Sequence, residues 1–292
     1  MRSSRPRNPV APSSRLAPTR SAPPAPAAAQ PPARPASVSP GPQPCPDCTR
    51  PLLPPRDLPL RNSRATLPSV RLLLFDIDGT LIASGGAGRD AIADAFSDEF
   101  GLSGLDGVQI DGRTDTSIFE DALRLAGVDP TPADVDRMTG AYLARLPEAL
   151  RTHKGRVLEG VVDLLDGLDG AGAVVGLATG NVARGAELKL RHYGLWDRFV
   201  GGGFGDVSSD RDRVLAAAVE TLARIGGVAP AAASPVVIGD TPRDVSAGHA
   251  VGARVLAVAT GNYGEDALRE SGADSVLPDL RDTQGALEIL LG

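Results

Sequence analysis

Three short apolar runs in this chain each end in a cluster of oxygen-bearing side chains, and that repetition restricts the available folds more than any other feature. Residues 70–76 lead into Asp76-Ile-Asp78-Gly-Thr80-Leu, residues 173–178 into Thr179-Gly180-Asn181, and residues 235–239 into Asp240-Thr-Pro-Arg-Asp244. Short apolar runs bounded by turn formers read as strands buried on both faces. Residues 254–258 form a fourth candidate of this kind, and 274–277 a weaker edge strand. Helical periodicity fills the gaps at 182–193, 211–225, 242–251 and 265–271. Strands alternating with helices predict an α/β fold with a parallel sheet covered on both faces.

The first gap breaks the rhythm. About 95 residues separate the first run from the second, far more than the loops of an ordinary crossover require. They carry helical patterns at 87–100, 116–125, 133–150 and 161–168, so a helical insertion follows the first strand. Ahead of the sheet, 19 of the 26 prolines precede Ser69. Residues 1–68 cannot bury enough apolar surface to offset chain entropy and are expected to be disordered; a start site set too far upstream would explain them equally well. The expected division is a disordered segment at 1–68, a core at 69–84 and 160–292, and a helical domain at 85–159.

In an open parallel sheet the site lies beyond the carboxyl ends of the strands. The three tips therefore converge, and Asp76, Asp78, Asp240 and Asp244 bring four carboxylates together. Such a group repels itself unless a hard cation is present, and magnesium takes a few carboxylate oxygens together with substrate phosphate. A carboxylate can attack phosphorus, and a second can protonate the leaving oxygen and then activate water. Thr80, Thr179, Gly180 and Asn181 are placed to hold phosphate oxygens. The missing cation is sought in Asp210-Arg211-Asp212-Arg213, which opens a helix before the third run, with Arg211 favoured over Arg213 by helical register. Lys154 and Lys189 are the body's two lysines; Lys154 reads as a solvated charge.

At this point the motifs resemble those of the haloacid dehalogenase superfamily. Asp76-Ile-Asp-Gly-Thr-Leu81 is similar to its first motif, Thr179 to its second and Gly239-Asp240-Thr-Pro-Arg-Asp244 to its fourth. The resemblance runs from Val70 to the C-terminus. It implies a Rossmann-like parallel-sheet core with an inserted α-helical cap domain, like that of the phosphoglycolate phosphatase-like branch. It further implies Asp76 as nucleophile and Asp78 as general acid/base. Magnesium would be bound by Asp76, Asp240 and the main-chain carbonyl of Asp78, with Asp244 in support. The third motif, usually lysine, departs from the pattern here, and an arginine must serve. In the cap, Gly85–Gly88 is the expected hinge. Gly112-Arg113-Thr114-Asp115 is the most site-like turn, with Arg113 the candidate for reading an anionic substrate, although Thr114 or Asp115 would also serve as a helix cap.

Charge excludes other classes. Ten Arg against two Asp give residues 1–68 a charge of +8, which leaves −14 for the remainder of a chain whose net charge is −6. An acidic body argues against nucleic acid, and no apolar stretch approaches the ~20 residues of a membrane span. Cys45 and Cys48 lack a second metal-binding pair and read as incidental; a body without cysteine suits the cytoplasm. The expected partner is a small phosphorylated metabolite, and the expected activity a phosphatase. A sugar-phosphate mutase is the enzymatic rival, and a silent phospho-ligand or protein binder the alternative of another class. Dehalogenation needs no second acid, so Asp78 disfavours it.

Overall fold

The computed structural model describes residues 70–101 and 105–292. The segment expected to be disordered, with Cys45 and Cys48, lies outside the described residues. In chain order the elements are β1 (Arg71–Phe75), β2 (Ile82–Ala83), α1 (Ala87–Phe100), α2 (Asp115–Leu125), α3 (Pro132–Thr152), β3 (Arg156–Val157), α4 (Val161–Leu168), β4 (Val174–Ala178) and α5 (Ala183–His192). There follow β5 (Gly202–Gly203), α6 (Arg211–Ile225), β6 (Ser234–Gly239), α7 (Pro242–Ala250), β7 (Arg254–Val258), α8 (Glu265–Glu270), β8 (Ser275–Leu277) and α9 (Thr283–Leu291).

Six strands form one parallel sheet in the order β5-β4-β1-β6-β7-β8. Leu72, Leu73, Leu74 and Phe75 of β1 are wholly buried, as a central strand covered on both faces requires. Each such side chain contributes roughly 1.5–3 kcal/mol of burial. Odd positions face one apolar layer, with Leu164, Leu190 and Leu290, and even positions face the other, with Ala218, Leu222 and Val245. The chain passes from β1 to β4 on one side and later to β6 on the other, so its direction of winding reverses beside β1. A crevice opens at such a point. The register aligns the tips there, since Phe75 pairs with both Leu177 and Ile238.

The helical insertion is bracketed by a two-stranded antiparallel ribbon in which Ile82 pairs with Val157 and Ala83 with Arg156. Gly85, with φ +66°, stands where the outgoing and returning chains nearly touch. A Cβ there would lie 2.8 Å from the Lys154 carbonyl oxygen. Helices α1, α2 and α3 bury Ile92, Phe96, Phe119, Leu123, Met138 and Leu146 in an apolar cluster of their own, which Val182 of the sheet layer joins. Thr114 caps α2 and Thr131 caps α3, the latter with Asp134 in a reciprocal capping box. Four elements had no clear sequence signal: the two-residue strands β2, β3 and β5, and the closing helix α9. No helix among the described residues is long and apolar enough to cross a membrane.

Candidate active site

The three strand tips form the floor of a cavity of about 380 Å³, whose opposite wall comes from the insertion through Ile92, Ile110, Ile118 and Tyr142. The size suits a small molecule. Asp76 directly follows β1, and its N–H donates to the Ile238 carbonyl at 2.9 Å, which carries the strand's register to the nucleophile candidate. Gly79, φ +84°, then turns the chain so closely over Asp240 that a Cβ would lie 2.3 Å from Oδ2 of that carboxylate. Gly261 crowds the same oxygen from the other side, at 1.7 Å for a Cβ. Two glycines thus clear the space around one acid.

Oxygens of Asp76, Asp240 and Asp244 lie within 4.8 Å of one another, and all three residues are buried. One guanidinium serves this group: Arg211 Nη2 is 3.2 Å from Asp76 Oδ1 and also contacts Asp244 Oδ1. Arg211 opens α6 behind the Asp210 cap, so the start of the helix delivers it to the site. Asp244 is at the same time part of the α7 capping box, accepting from the Thr241 N–H at 3.0 Å and the Thr241 hydroxyl at 2.7 Å. Burial pushes the Asp240 carboxyl well above the ordinary range, and the neighbouring Asp244 and Asp76 push it further. Burial raises Asp76 too, while Arg211 opposes the rise. An all-carboxylate donor set in which one acid would retain a proton for want of positive charge fits a hard divalent cation. Asp76, Asp240 and Asp244 are the residues that fit it.

Asp78 departs from the expected four-carboxylate cluster. Its Oδ2 accepts from Lys189 Nζ at 2.6 Å and from Asn181 Nδ2 at 2.9 Å, so its charge is met by a cation of its own. Lys189 went unassigned in the sequence because its role depends on a fold contact. A signal was nevertheless present, since the lysine follows Val182, Gly185 and Ala186 at helical spacing along the buried face of α5. Asp115, from the site-like turn, opens α2 and accepts from the Val182 N–H at 2.9 Å, tying the insertion to the start of α5. Burial pushes Asp115 up to about 6 against the pull of Lys189. Tyr142, on the buried face of α3, lines the cavity, and its hydroxyl has no hydrogen-bond partner among the described residues.

The phosphate-holding candidates divide. Thr179 is wholly buried, and its hydroxyl accepts from the Asn181 amide, fixing that side chain. Gly180 lets the 112–115 turn approach, for a Cβ there would lie 2.1 Å from the Arg113 carbonyl oxygen. Three other candidates are engaged by neighbouring protein groups. Thr80 is fully buried, and its hydroxyl donates to Asp240 Oδ1 at 3.2 Å, so it holds the acid instead of facing the cavity. Arg213 is exposed and lies 3.8 Å from Asp210, two residues on from Arg211 and therefore on the opposite side of α6. Arg113 lines the cavity, but its guanidinium contacts Asp121 and donates to Ser117 at 3.0 Å.

A sequence model of haloacid dehalogenase-like hydrolases matches residues 73–249. No curated protein matches the chain. Among solved structures, a hydrolase from Pseudomonas syringae is 21% identical with a TM-score of 0.60, over 76% of this chain and 98% of that one. CbbY from Rhodobacter sphaeroides, in complex with phosphate, is 21% identical with a TM-score of 0.59, over 73% and 96%. A predicted phosphoglycolate phosphatase from Haemophilus somnus is 19% identical with a TM-score of 0.56, over 74% and 97%. At these identities the likeness establishes the fold.

Proposed function

The chain belongs to the haloacid dehalogenase-like hydrolase family, and from that premise we propose that it is a magnesium-dependent phosphatase acting on a small phosphate monoester. The observation that carries this reading is the buried trio Asp76, Asp240 and Asp244, short of positive charge beside a single guanidinium at the floor of a cavity.

Asp76 attacks phosphorus, the bond to the ester oxygen breaks, and the phosphoryl group passes to the Asp76 carboxylate. Protonated Asp78 gives its proton to the departing oxygen. Water then attacks the aspartyl-phosphate and loses a proton to the Asp78 carboxylate, and the phosphorus–Asp76 bond breaks to release phosphate. Arg211 offsets the charge of the phosphoryl oxygens and holds Asp76 in line. Gly180 and Asn181 border the phosphoryl position. Magnesium, held by Asp76 and Asp240 with the main-chain carbonyl of Asp78 and with Asp244 in support, would supply charge neutralisation and substrate orientation. The helical insertion acts as a cap that keeps water from the cavity, pivoting near Gly85. Asn262, donating to Asp111 at 2.9 Å, bridges the two walls.

The test is phosphate release from a panel of small phosphate esters, with magnesium or with chelator, for the full chain and for Asp76→Asn. Magnesium-dependent release that disappears in Asp76→Asn is expected. Release that survives either chelation or the substitution overturns the proposal.

A further inference from the structure

Lys189 takes no part in the chemistry above, yet it is almost completely buried. A buried ammonium is costly unless it is paired and hydrogen-bonded, and this one is both. Its Nζ lies 2.6 Å from Asp78 Oδ2 and 2.6 Å from Asn181 Oδ1. Asn181 in turn donates to the same Asp78 oxygen at 2.9 Å and to Thr179 Oγ1 at 2.9 Å. Two donors therefore hold Oδ2 of Asp78, and among the described residues no protein group donates to Oδ1. The insertion closes over this arrangement: a Cβ on Gly88 of α1 would lie 3.1 Å from Nζ.

We propose that Lys189 is a positioning residue which, with Asn181, fixes the Asp78 carboxyl so that Oδ1 serves the leaving oxygen. The inference rests on the phosphatase reading. A carboxyl anchored through one oxygen presents the other in a fixed direction, and general acid catalysis depends on that geometry. The anchor comes from α5, and the acid/base from the turn after β1. The arrangement thus links the β4 tip to the β1 tip, independently of Arg211.

Leaving-group dependence separates positioning from a merely structural role. A 4-nitrophenolate departs with little help from a proton, whereas an alkoxide needs one. The experiment compares 4-nitrophenyl phosphate with glycerol phosphate, both with magnesium, for the wild type and Lys189→Met. The expected result is a fall in kcat of ~10²-fold or more on the alkyl ester, and of less than about tenfold on the aryl ester. In an Asp78→Asn background, Lys189→Met is expected to cost nothing further on the alkyl ester. If Lys189→Met does not fold, Lys189→Met/Asp115→Asn removes one charge of each sign from the same pocket and carries the comparison. Equal losses on both esters in a folded variant overturn the positioning role and leave the phosphatase standing. No release from either ester by the wild type overturns the phosphatase reading, and the positioning role with it.

Discussion

The floor of the cavity has two halves, each built on one buried cation, and they are not charged alike. In one half Arg211 contacts Asp76 and Asp244 while Asp240 stands beside them, so three acids share one guanidinium. In the other half Lys189 lies between Asp78 and Asp115, so two acids share one ammonium, and the backbone N–H of Val182 supports Asp115. The first half is left with a larger excess of negative charge on buried side chains, which is the condition under which a divalent cation binds. The second is closer to balance and accounts for its own charges through hydrogen bonds. The proposed phosphoryl chemistry would use this inequality: a metal and a nucleophile on one side, and a proton carrier that must not coordinate metal through its side chain on the other.

Removing the guanidinium should break the comparison most severely. Arg211→Met leaves Asp76 and Asp244 facing each other without the cation they share, and breaking a buried pair in this way costs ~3–5 kcal/mol. Urea unfolding in the presence of chelator is expected to report that loss. Magnesium should restore part of it, because the ion replaces some of the missing charge. Turnover should still fall by about 10²–10³-fold, the usual cost of losing one charge-stabilising donor. Unfolding curves that coincide with the wild type would mean that the two acids are not ionised together, and the charge inequality between the halves would disappear.

Asp240→Asn sharpens the comparison from the opposite direction, with a smaller effect. It removes the acid that burial and its neighbours most disfavour as an anion, so the metal-free protein should become more stable. A gain of ~1 kcal/mol corresponds to about 2–4 °C in Tm for a chain of this size. The wild type should gain ~2.7 kcal/mol from magnesium at a hundredfold excess over its Kd, and the variant should gain little. Thermal melts with and without magnesium check both signs. A variant that melts lower without metal yet responds fully to magnesium would place the ion elsewhere.

The two halves also differ in how much of them the sequence reveals. Asp76 and Asp240 are legible because each closes an apolar run, and a strand's register carries its tip to a fixed place; Asp244 is legible because it stands in the first turn of the helix that follows. Arg211 follows from the helix that starts beside them. Lys189, Asp115 and Tyr142 belong to a junction of α5, α2 and α3, and no local pattern says which turn of one helix meets the start of another. Lys189 and Tyr142 leave only the trace of a polar residue where the helical period calls for an apolar one, and Asp115 only its place in a site-like turn. The same limit explains Arg113, whose position in a site-like turn was legible while its pairing with Asp121, two helical turns on, was not. The short strands β2, β3 and β5 lacked a signal because two residues carry no periodicity, and Gly202-Gly203 offers no side chain to alternate.

The smallest effect lies outside both halves and serves as their control. His153, at the end of α3, has Nε2 2.8 Å from Asp90 of α1 and Nδ1 2.8 Å from the Ala149 carbonyl oxygen. Both ring nitrogens face acceptors, so only the imidazolium can donate to both. The Asp90 carboxylate, the Ala149 carbonyl and the nearby Asp94 charge accordingly hold His153 above the ordinary histidine value. A folded-state value above the unfolded one gives a stabilising contribution that is complete below the ordinary histidine range of about 6.5. It is lost as pH rises through the raised folded value. The contact is exposed on its Asp90 side and therefore screened, so the expected step is modest and shrinks with salt. Thermal melts across this range, taken with chelator present, should show wild-type stability falling with pH more steeply than that of His153→Gln. The cavity acids are the same in the two proteins, so the difference between the curves isolates the contact of His153 with Asp90. Parallel curves would remove His153 from the account of how the insertion is held together, and leave that to its apolar cluster, its caps and the ion pairs of Arg137 and Arg145 with α1.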